Sequence, residues 1–246
     1  GPGANGKSVL LDLLAALVGR QNVAAVQPTQ LDNRFQRAHL HNKLANVVTE
    51  IPEGHEIADA QLKAIVSGEL STAEHKHKSP FDFEPYATCW FAANHMPHTR
   101  DFSDALFRRA IIIPFNRIFK EADQDKRLKD TLAAELPGVL NLALEGMAGV
   151  FKRGGFTKTE SCEKAKANWR LESDQVAQFA QDRALFGPEF KTLVADAYSA
   201  YKEWASEVGI RRTLGRKSFT DRMGRLGAKS DKGTGGYYYL FGVHVQ

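Results

Sequence analysis

The first regular pattern of apolar residues along the chain is helical. Five apolar side chains recur at a spacing that places them on one face of an α-helix. Gly19 follows the last of them and predicts the end of that helix. The five residues are Val9, Leu10, Leu13, Leu14 and Leu17.

Short apolar runs further along the chain predict strands that are buried on both faces. Helices are predicted between and after them, at 58–66, at 130–150 despite Pro137, and at 190–208. The alternation of strands and helices indicates an α/β fold. The strands are predicted at 44–48, 88–93 and 110–115, with a shorter candidate at 22–26.

Length and composition set wide limits. At 246 residues with 43% hydrophobic content, the chain can bury one large core or two smaller ones. Its net charge of +4 permits a polyanionic partner without requiring one. Cys89 and Cys162 form neither a disulfide framework nor a metal-ligand pattern and are interpreted as small buried hydrophobes. No apolar run is long enough to span a bilayer, so we expect a cytoplasmic protein without a membrane partner.

The start of the chain carries the sharpest chemical pattern. GPGANGKS fits G-x-x-x-x-G-K-[ST], in which backbone N–H groups of a glycine-rich turn and the positive end of the next helix bind phosphates. Lys7 would reach the β- and γ-phosphates of ATP, and the Ser8 hydroxyl would bind Mg²⁺. The alternative is an ordinary glycine turn that caps a helix. The predicted ATP-binding residues are Gly1, Gly3, Ala4, Asn5, Gly6, Lys7, Ser8 and Val9.

A phosphate-binding loop of this kind follows a strand that holds it in place. This chain begins on the loop itself. We therefore expect the first strand of the α/β core to lie upstream, in a longer gene product.

Glu50 stands at the carboxyl end of the 44–48 strand, and Glu53 lies just beyond Pro52. In a nucleotide-binding chain, an acid at this place can hold Mg²⁺ and orient or deprotonate the attacking water. Glu50 is the favoured metal ligand and base, and Glu53 is its candidate partner.

Two further candidates stand at the edges of predicted strands. Asn94 ends the 88–93 strand, where it can hydrogen-bond the γ-phosphate or the attacking water, although a turn asparagine explains it equally well. Arg108 and Arg109 directly precede the 110–115 strand. One of them could contact the γ-phosphate bound to a neighbouring subunit, and surface arginines are the plainer interpretation.

A cluster of cationic and titratable side chains predicts an exposed hairpin or loop tip, flanked by Phe81 and Phe83. Such a tip can contact the phosphates of a nucleic acid. A solvated charged loop explains the same composition, and no cysteine or carboxylate pattern completes a metal site with the histidines. The tip residues are His75, Lys76, His77 and Lys78.

The C-terminal region begins near residue 175. Its aromatic residues, together with Trp169, are predicted to be core residues rather than platforms for stacked bases. A basic segment starts at Arg211, and apolar residues at helical spacing within it predict an amphipathic helix with a basic face. A helix followed by a glycine-tipped hairpin is the outline of a winged helix, whose basic face could lie against DNA, and a solvated basic face is the alternative. The core residues are Trp169, Tyr201 and Trp204, and the DNA contacts are Arg216, Lys217 and Arg222.

Taken in order, GPGANGKS, VVTEIPEG, the Lys63–Gly68 segment, FAANHMP and DALFRRAIIIPF resemble the superfamily 3 helicases of phage and plasmid primase-helicases. These are relatives of the poxvirus primase-helicase. The resemblance implies a P-loop AAA+-like ATPase core at 1–120, a helical region at 121–174 and a winged-helix-like DNA-binding domain at 175–246. It also implies a homohexameric ring around single-stranded DNA, with a primase domain upstream.

The resemblance implies a role for each candidate residue. Lys63 falls in the helix before a DNA-facing hairpin, whose tip corresponds to Lys76 and His77. Lys7 and Ser8 correspond to the Walker A motif, and Glu50 corresponds to the Walker B acid. Asn94 corresponds to sensor 1. Arg109 corresponds to the arginine finger, with Arg108 close behind.

The pattern departs from the family at the acid. Related Walker B motifs often have two adjacent acids, whereas Ile51 and Pro52 separate Glu50 from Glu53. The identity of the catalytic base therefore stays open between the two glutamates.

The predicted function is that of an ATP-dependent helicase or translocase that moves on single-stranded DNA in phage, plasmid or mobile-element replication. A small-molecule kinase built on the same phosphate loop would need a substrate pocket and a lid, but no paired arginines before a strand. A DNA-binding regulator would work through the winged-helix-like end and use ATP only to switch its oligomeric state. ATPase assays with and without single-stranded DNA separate the three.

Overall fold

Parallel strands form the sheet on which the first part of the chain is built. The chain divides into two units, unit 1 at Gly1–Ala167 and unit 2 at Asn168–Gln246, each with its own core. No helix in the described parts is long and apolar enough to cross a membrane. The computed structural model describes residues 4–52, 55–97, 99, 104–210 and 213–246.

In the described part of unit 1, helices and short strands alternate from α1 to β3, and two further strands and four helices follow. Its helices are α1 (Lys7–Val18), α2 (Arg34–Arg37), α3 (Asp59–Val66), α4 (Asp104–Phe107), α5 (Leu128–Ala134), α6 (Leu136–Arg153) and α7 (Glu160–Ser173), the last of which runs into unit 2. Its strands are β1 (Val23–Ala24), β2 (Ala45–Val48), β3 (Ser71–Ala73), β4 (Phe81–Phe83) and β5 (Thr88–Phe91).

The main sheet has the order β1-β2-β5, and its strands run parallel. All four residues of β2 are buried, as expected for an apolar run in the middle of a parallel sheet. Val48 lies opposite Phe91, so β2 and β5 end side by side. The strands predicted at 44–48 and 88–93 are confirmed with shorter bounds, and β1 lies inside the 22–26 candidate.

The first helix is also confirmed. Leu11 and Ala15 of α1 are buried, and Leu11 packs in one cluster with Ala45 and Val47 of β2. The helix ends at Gly19, whose φ of 81° lies in the left-handed region that glycine adopts without strain. The predicted helix at 58–66 corresponds to α3.

The strand predicted at 110–115 is wrong. This segment has no regular secondary structure, and no strand within the described residues pairs with it. The side chains of Ile111 and Ile113 are 55% and 51% exposed, and Pro114 has no N–H group to donate to a ladder. The apolar run is therefore irregular chain near the surface rather than a buried strand.

The helix predicted at 130–150 forms as two helices. α5 and α6 meet at Glu135, and Pro137 lies in the first turn of α6, where its missing N–H group breaks no helical hydrogen bond. α6 ends at Gly154, which has a φ of 70°.

Unit 2 follows the order helix, strand, helix, helix and hairpin. Its antiparallel sheet has the strand order β6-β8-β7. The elements are α8 (Gln175–Arg183), β6 (Ala184–Leu193), α9 (Val194–Glu207), α10 (Arg216–Arg225), β7 (Lys229–Lys232) and β8 (Tyr238–Val245).

Aromatic residues form the core of unit 2, as predicted. Trp169, Tyr201 and Trp204 are 5%, 0% and 4% exposed. The basic helix and the glycine-tipped hairpin after it are present as α10 and β7–β8. The helix predicted at 190–208 begins only at Val194, because the residues before it pair with β8 as part of β6. The domain bounds at 120/121 and 174/175 stay predictions.

Candidate nucleotide-binding site

The turn before α1 passes through backbone conformations that bring N–H groups together. Ala4 and Gly6 have φ values of 55° and 86°, so the chain passes twice through the left-handed region within three residues. Alternation of this kind turns successive N–H groups toward one concavity. The first turn of α1 contains no acidic residue, so its positive end can attract an anion.

The 110–119 segment supports this turn from the side. The Asn5 side chain is 6% exposed, and its Nδ2 donates to the carbonyl oxygen of Phe115 at 3.1 Å. The backbone N–H of Phe119 donates to the oxygen of Ala4 at 2.9 Å. The 110–119 segment, whose first part was predicted to be a strand, therefore stabilises the glycine-rich turn through hydrogen bonds.

The carboxyl ends of β2 and β5 complete the site. Lys7 Nζ donates to Asn94 Oδ1 at 2.8 Å, which joins the start of α1 to the end of β5. The N–H of Ile51 donates to Ala92 at 3.0 Å, so the chain after β2 stays paired with the chain after β5 on both sides of Glu50. Gln27 Nε2 also donates to the backbone oxygen of Glu50, at 3.1 Å.

The turn before α1 and the residues that follow β2 and β5 line one cleft with a volume of about 300 Å³. Ser8 and Glu50 both expose their side chains here, and hydroxyl, carboxylate and phosphate oxygens are the ligands that Mg²⁺ takes in nucleotide sites. No cluster of histidine, cysteine and acidic residues in the described residues could hold a metal ion by itself. The donor set thus fits Mg²⁺ only together with phosphate oxygens. The lining residues are Ala4, Asn5, Gly6, Lys7, Ser8, Val9, Thr49, Glu50, Ala93 and Asn94.

The cleft brings together most of the residues predicted for the nucleotide site. Gly1, Gly3 and Glu53 lie outside the described residues. Thr49 was missed by sequence reasoning, although its place between a buried strand and Glu50 was a usable signal. Ala93 was also missed as a lining residue, although its place directly before Asn94 was a similar signal.

The two candidate arginines do not line the cleft. Both are exposed and follow α4. Arg109 donates from Nε and Nη2 to Ser67 Oγ at 3.1 and 2.9 Å, and from Nη1 to the oxygen of Ala105 at 2.7 Å. Arg109 is thus accessible at the surface rather than buried in its own subunit.

The predicted tip is a true hairpin. β3 and β4 pair antiparallel, and His75, Lys76, His77 and Lys78 are exposed at the turn between them. The His75 ring stacks on Phe81 with 5.2 Å between the ring centroids.

Two arginines of α2, which sequence reasoning missed, fasten this hairpin to the rest of unit 1. Arg34 forms an ion pair of 2.9 Å with Glu74. Arg37 donates from Nε and Nη2 to the oxygen of Thr72, and from Nη1 to the oxygens of Leu31 and Asp32. The composition of the segment, which reads as a solvated loop, gave no signal for these contacts.

The basic face of unit 2 is smaller than its sequence indicates. Arg216 and Lys217 are exposed on α10, but the Arg222 side chain is 12% exposed and lies 3.3 Å from Asp174. Asp174 also accepts from the first N–H groups of α8. Burial lowers the pKa of Arg222, and the Asp174 carboxylate opposes that shift. Arg222 therefore stabilises unit 2 through Asp174, and its burial argues against the predicted contact with DNA. Arg211 lies outside the described residues.

The chain is distantly similar to two viral putative helicases and matches one family of unknown function. The family described as "Family of unknown function (DUF5906)" matches residues 1–109. The chain is 26% identical over 144 residues to a putative helicase, L207/L206, of Acanthamoeba polyphaga mimivirus, covering 52% of this chain and 14% of that protein. It is 23% identical over 242 residues to putative helicase 022R of Frog virus 3, covering 88% of this chain and 25% of that protein.

The fold is similar to that of the NrS-1 C-terminal region. Two apo structures of that region superpose with TM-scores of 0.54 and 0.55, each at 15% identity, covering 99% of this chain and 65% of the other. At this identity the likeness concerns the mixed α/β fold, with its helices and small sheets. The chain spans less than two thirds of each of these relatives.

Proposed function

We propose that this chain is the ATP-hydrolysing part of a helicase that translocates on single-stranded DNA during replication of a virus, phage or plasmid. The observation that carries the proposal is the convergence of the glycine-rich turn, Lys7, Ser8, Glu50 and Asn94 on one cleft, although these residues come from three separate segments. The similarity to viral putative helicases supports the choice of reaction.

ATP would bind with its phosphates on the turn before α1. Lys7 would contact the β- and γ-phosphates, and backbone N–H groups at the start of α1 would contact the others. Ser8 and Glu50 would hold Mg²⁺, which supplies positive charge to the phosphate oxygens when bound.

The attacking water would lie between the ends of β2 and β5. Glu50 is the proposed base, with Glu53 as the alternative, and Asn94 would orient the water or the γ-phosphate by hydrogen bonding. Lys7 already contacts Asn94, so the cation and the amide lie close enough to act on the same phosphate.

Hydrolysis would couple to DNA through an assembly of identical copies, which we propose to be a hexameric ring. Arg109 of one copy would contact the γ-phosphate bound to the next, with Arg108 as the nearby alternative. Loss of the γ-phosphate would release that contact and let the hairpin tip move along the strand, with Lys76, His77 and Lys78 against DNA phosphates. Arg216 and Lys217 would provide a second DNA contact.

ATPase assays with and without single-stranded DNA test this proposal. We expect magnesium-dependent ATP hydrolysis that single-stranded DNA stimulates strongly and duplex DNA stimulates weakly. Transfer of the γ-phosphate to a metabolite would favour a kinase instead. Tight duplex binding with no stimulated hydrolysis would favour a DNA-binding regulator, and either result would contradict the motor.

A further inference from the structure

Ser67 contacts Arg109 across the junction of two helices. Ser67 is the C-cap residue directly after α3, and Arg109 follows α4. The Ser67 hydroxyl oxygen accepts two hydrogen bonds from the same guanidinium, at 3.1 and 2.9 Å, and Ala105 of α4 accepts a third at 2.7 Å. The two residues are 42 positions apart, so only the folded chain brings them together.

The pattern of donors leaves part of the guanidinium open for a ligand. Arginine has five N–H donors in a fixed plane. The three contacts of Arg109 use one N–H on each of its nitrogens. Within the residues that the structure describes, one further N–H on each terminal nitrogen makes no hydrogen bond, and guanidinium N–H groups suit a phosphate.

Fixing the plane matters because Arg109 is exposed. A long side chain at the surface samples many rotamers, and ordering it on each encounter with a phosphate lowers the rate of reaction. A guanidinium already held in one plane loses less freedom when it meets the γ-phosphate.

We infer that Ser67 is a positioning residue for Arg109, holding the guanidinium in the orientation that presents its two remaining N–H groups to the γ-phosphate of a neighbouring copy. The inference rests on the proposed function, since it needs Arg109 to act on the neighbour's ATP. Ser67 itself would touch neither ATP nor DNA.

Steady-state ATPase kinetics of the full chain with Ser67→Ala test this role. We expect kcat to fall about tenfold and KM for ATP to stay unchanged, because the group lost acts on the transition state from the opposite subunit. Ser67→Thr keeps the hydroxyl and should restore most of the activity. Ser206→Ala, which removes an exposed hydroxyl from α9 in unit 2, is the matched control and should behave as the wild type.

Two further measurements separate positioning from a local structural defect. The double variant Ser67→Ala with Arg109→Ala should be no slower than Arg109→Ala alone, because Ser67 would act only through Arg109. Mixing Ser67→Ala copies with Lys7→Ala copies should raise turnover above the sum of the two, since some shared sites then combine an intact Lys7 with an intact Ser67 and Arg109. A defect confined to the altered copy would show no such rise.

The outcomes distinguish this inference from the proposed function. If Arg109→Ala stops turnover while Ser67→Ala has the kcat of the wild type, the positioning role is wrong and the motor stands. If Arg109→Ala keeps full turnover while Arg108→Ala loses it, Arg109 is only a helix-capping side chain and the inference fails. If neither arginine matters, the shared site of the proposed function fails as well.

Discussion

Lys7 and Asn94 show how a single contact can join two distant motifs. They are 87 positions apart and meet at 2.8 Å, because Asn94 follows β5 and β5 pairs with β2, the strand against which Leu11 of α1 packs. An ammonium has three donors, so Lys7 can keep the amide and still contact a phosphate.

We expect Lys7→Ala to lower ATP turnover by about 100-fold or more, because it removes the main positive charge beside the proposed position of the γ-phosphate. Phosphate release at saturating ATP measures the effect. Lys164→Ala, at an exposed position of α7, is the control and should leave turnover unchanged. Undiminished hydrolysis by Lys7→Ala would place the nucleotide elsewhere.

A second expectation at this scale concerns the ion pair of unit 2. Arg222→Ala leaves the Asp174 carboxylate without its cation in a setting where both side chains are at most 17% exposed, which should cost about 2 kcal/mol of unfolding free energy. Urea unfolding followed by tryptophan fluorescence measures the loss. Arg225→Ala, exposed on the same helix, should change it by less than about 0.5 kcal/mol.

The sequence was enough to predict which residue types would act in the cleft. It did not predict which side chains would contact one another in the folded chain. Lys7, Ser8 and Glu50 could be assigned from the loop motif and from a strand end. Arg222 looks like Arg216 in sequence, and only the fold shows that it faces Asp174, 48 positions away.

At the scale of elements, the β3–β4 hairpin is short and carries exposed lysines at its tip. We expect Lys76→Ala with Lys78→Ala to weaken binding of single-stranded DNA and to lower the slope of log affinity against log salt by about 1.4, the value for two lost phosphate contacts. Fluorescence anisotropy over a salt series measures this. Lys164→Ala with Lys202→Ala removes two exposed charges elsewhere and should leave the slope unchanged.

The partly buried thiol of Cys89, on β5, should make unit 1 sensitive to alkali. Burial raises the pKa of the Cys89 thiol from 9.0 to about 11, against a smaller opposing effect of Asn46. The folded form holds the thiol proton more tightly than the unfolded form does. The contribution of the protonated thiol to the free energy of unfolding is therefore fully present below pH 9. As the pH rises toward 11, this contribution falls by about 2 kcal/mol.

Unfolding free energies of the wild type and of Cys89→Ala between pH 8 and about 11 would show this effect. We expect the wild type to lose more stability over the interval than the variant does. Parallel curves would mean that the thiol titrates alike in the folded and unfolded chain.

Elements were predictable where the local pattern and the tertiary partners agree. β2 and α1 satisfy both. The 110–115 run has a strand pattern but no adjacent strand in the described part of the chain, and β6 has weak strand character yet forms by pairing with β8. Neither outcome is encoded in its own residues.

At the scale of the whole molecule, the core of unit 2 is built from its own helices and sheet. Buried residues of α8, α9, α10 and β8 form one cluster. A chain of this size that buries several aromatic rings can fold by itself.

We expect residues 160–246, which include the whole of α7, to fold alone with a cooperative thermal transition. Near-ultraviolet circular dichroism from Trp169, Tyr201 and Trp204 would report the packed core. A broad transition without aromatic signals would show that unit 1 is needed to complete it.

The Arg37 guanidinium has a mechanical consequence. Because it bonds the hairpin at Thr72 and the preceding loop at Leu31 and Asp32 together, β3 cannot swing at its base without breaking those bonds. A pull on the tip would be transmitted to α2 and the loop before it. If the hairpin moves on DNA as proposed, it and this segment would be displaced together, and any bending of the chain during that movement would have to occur outside them.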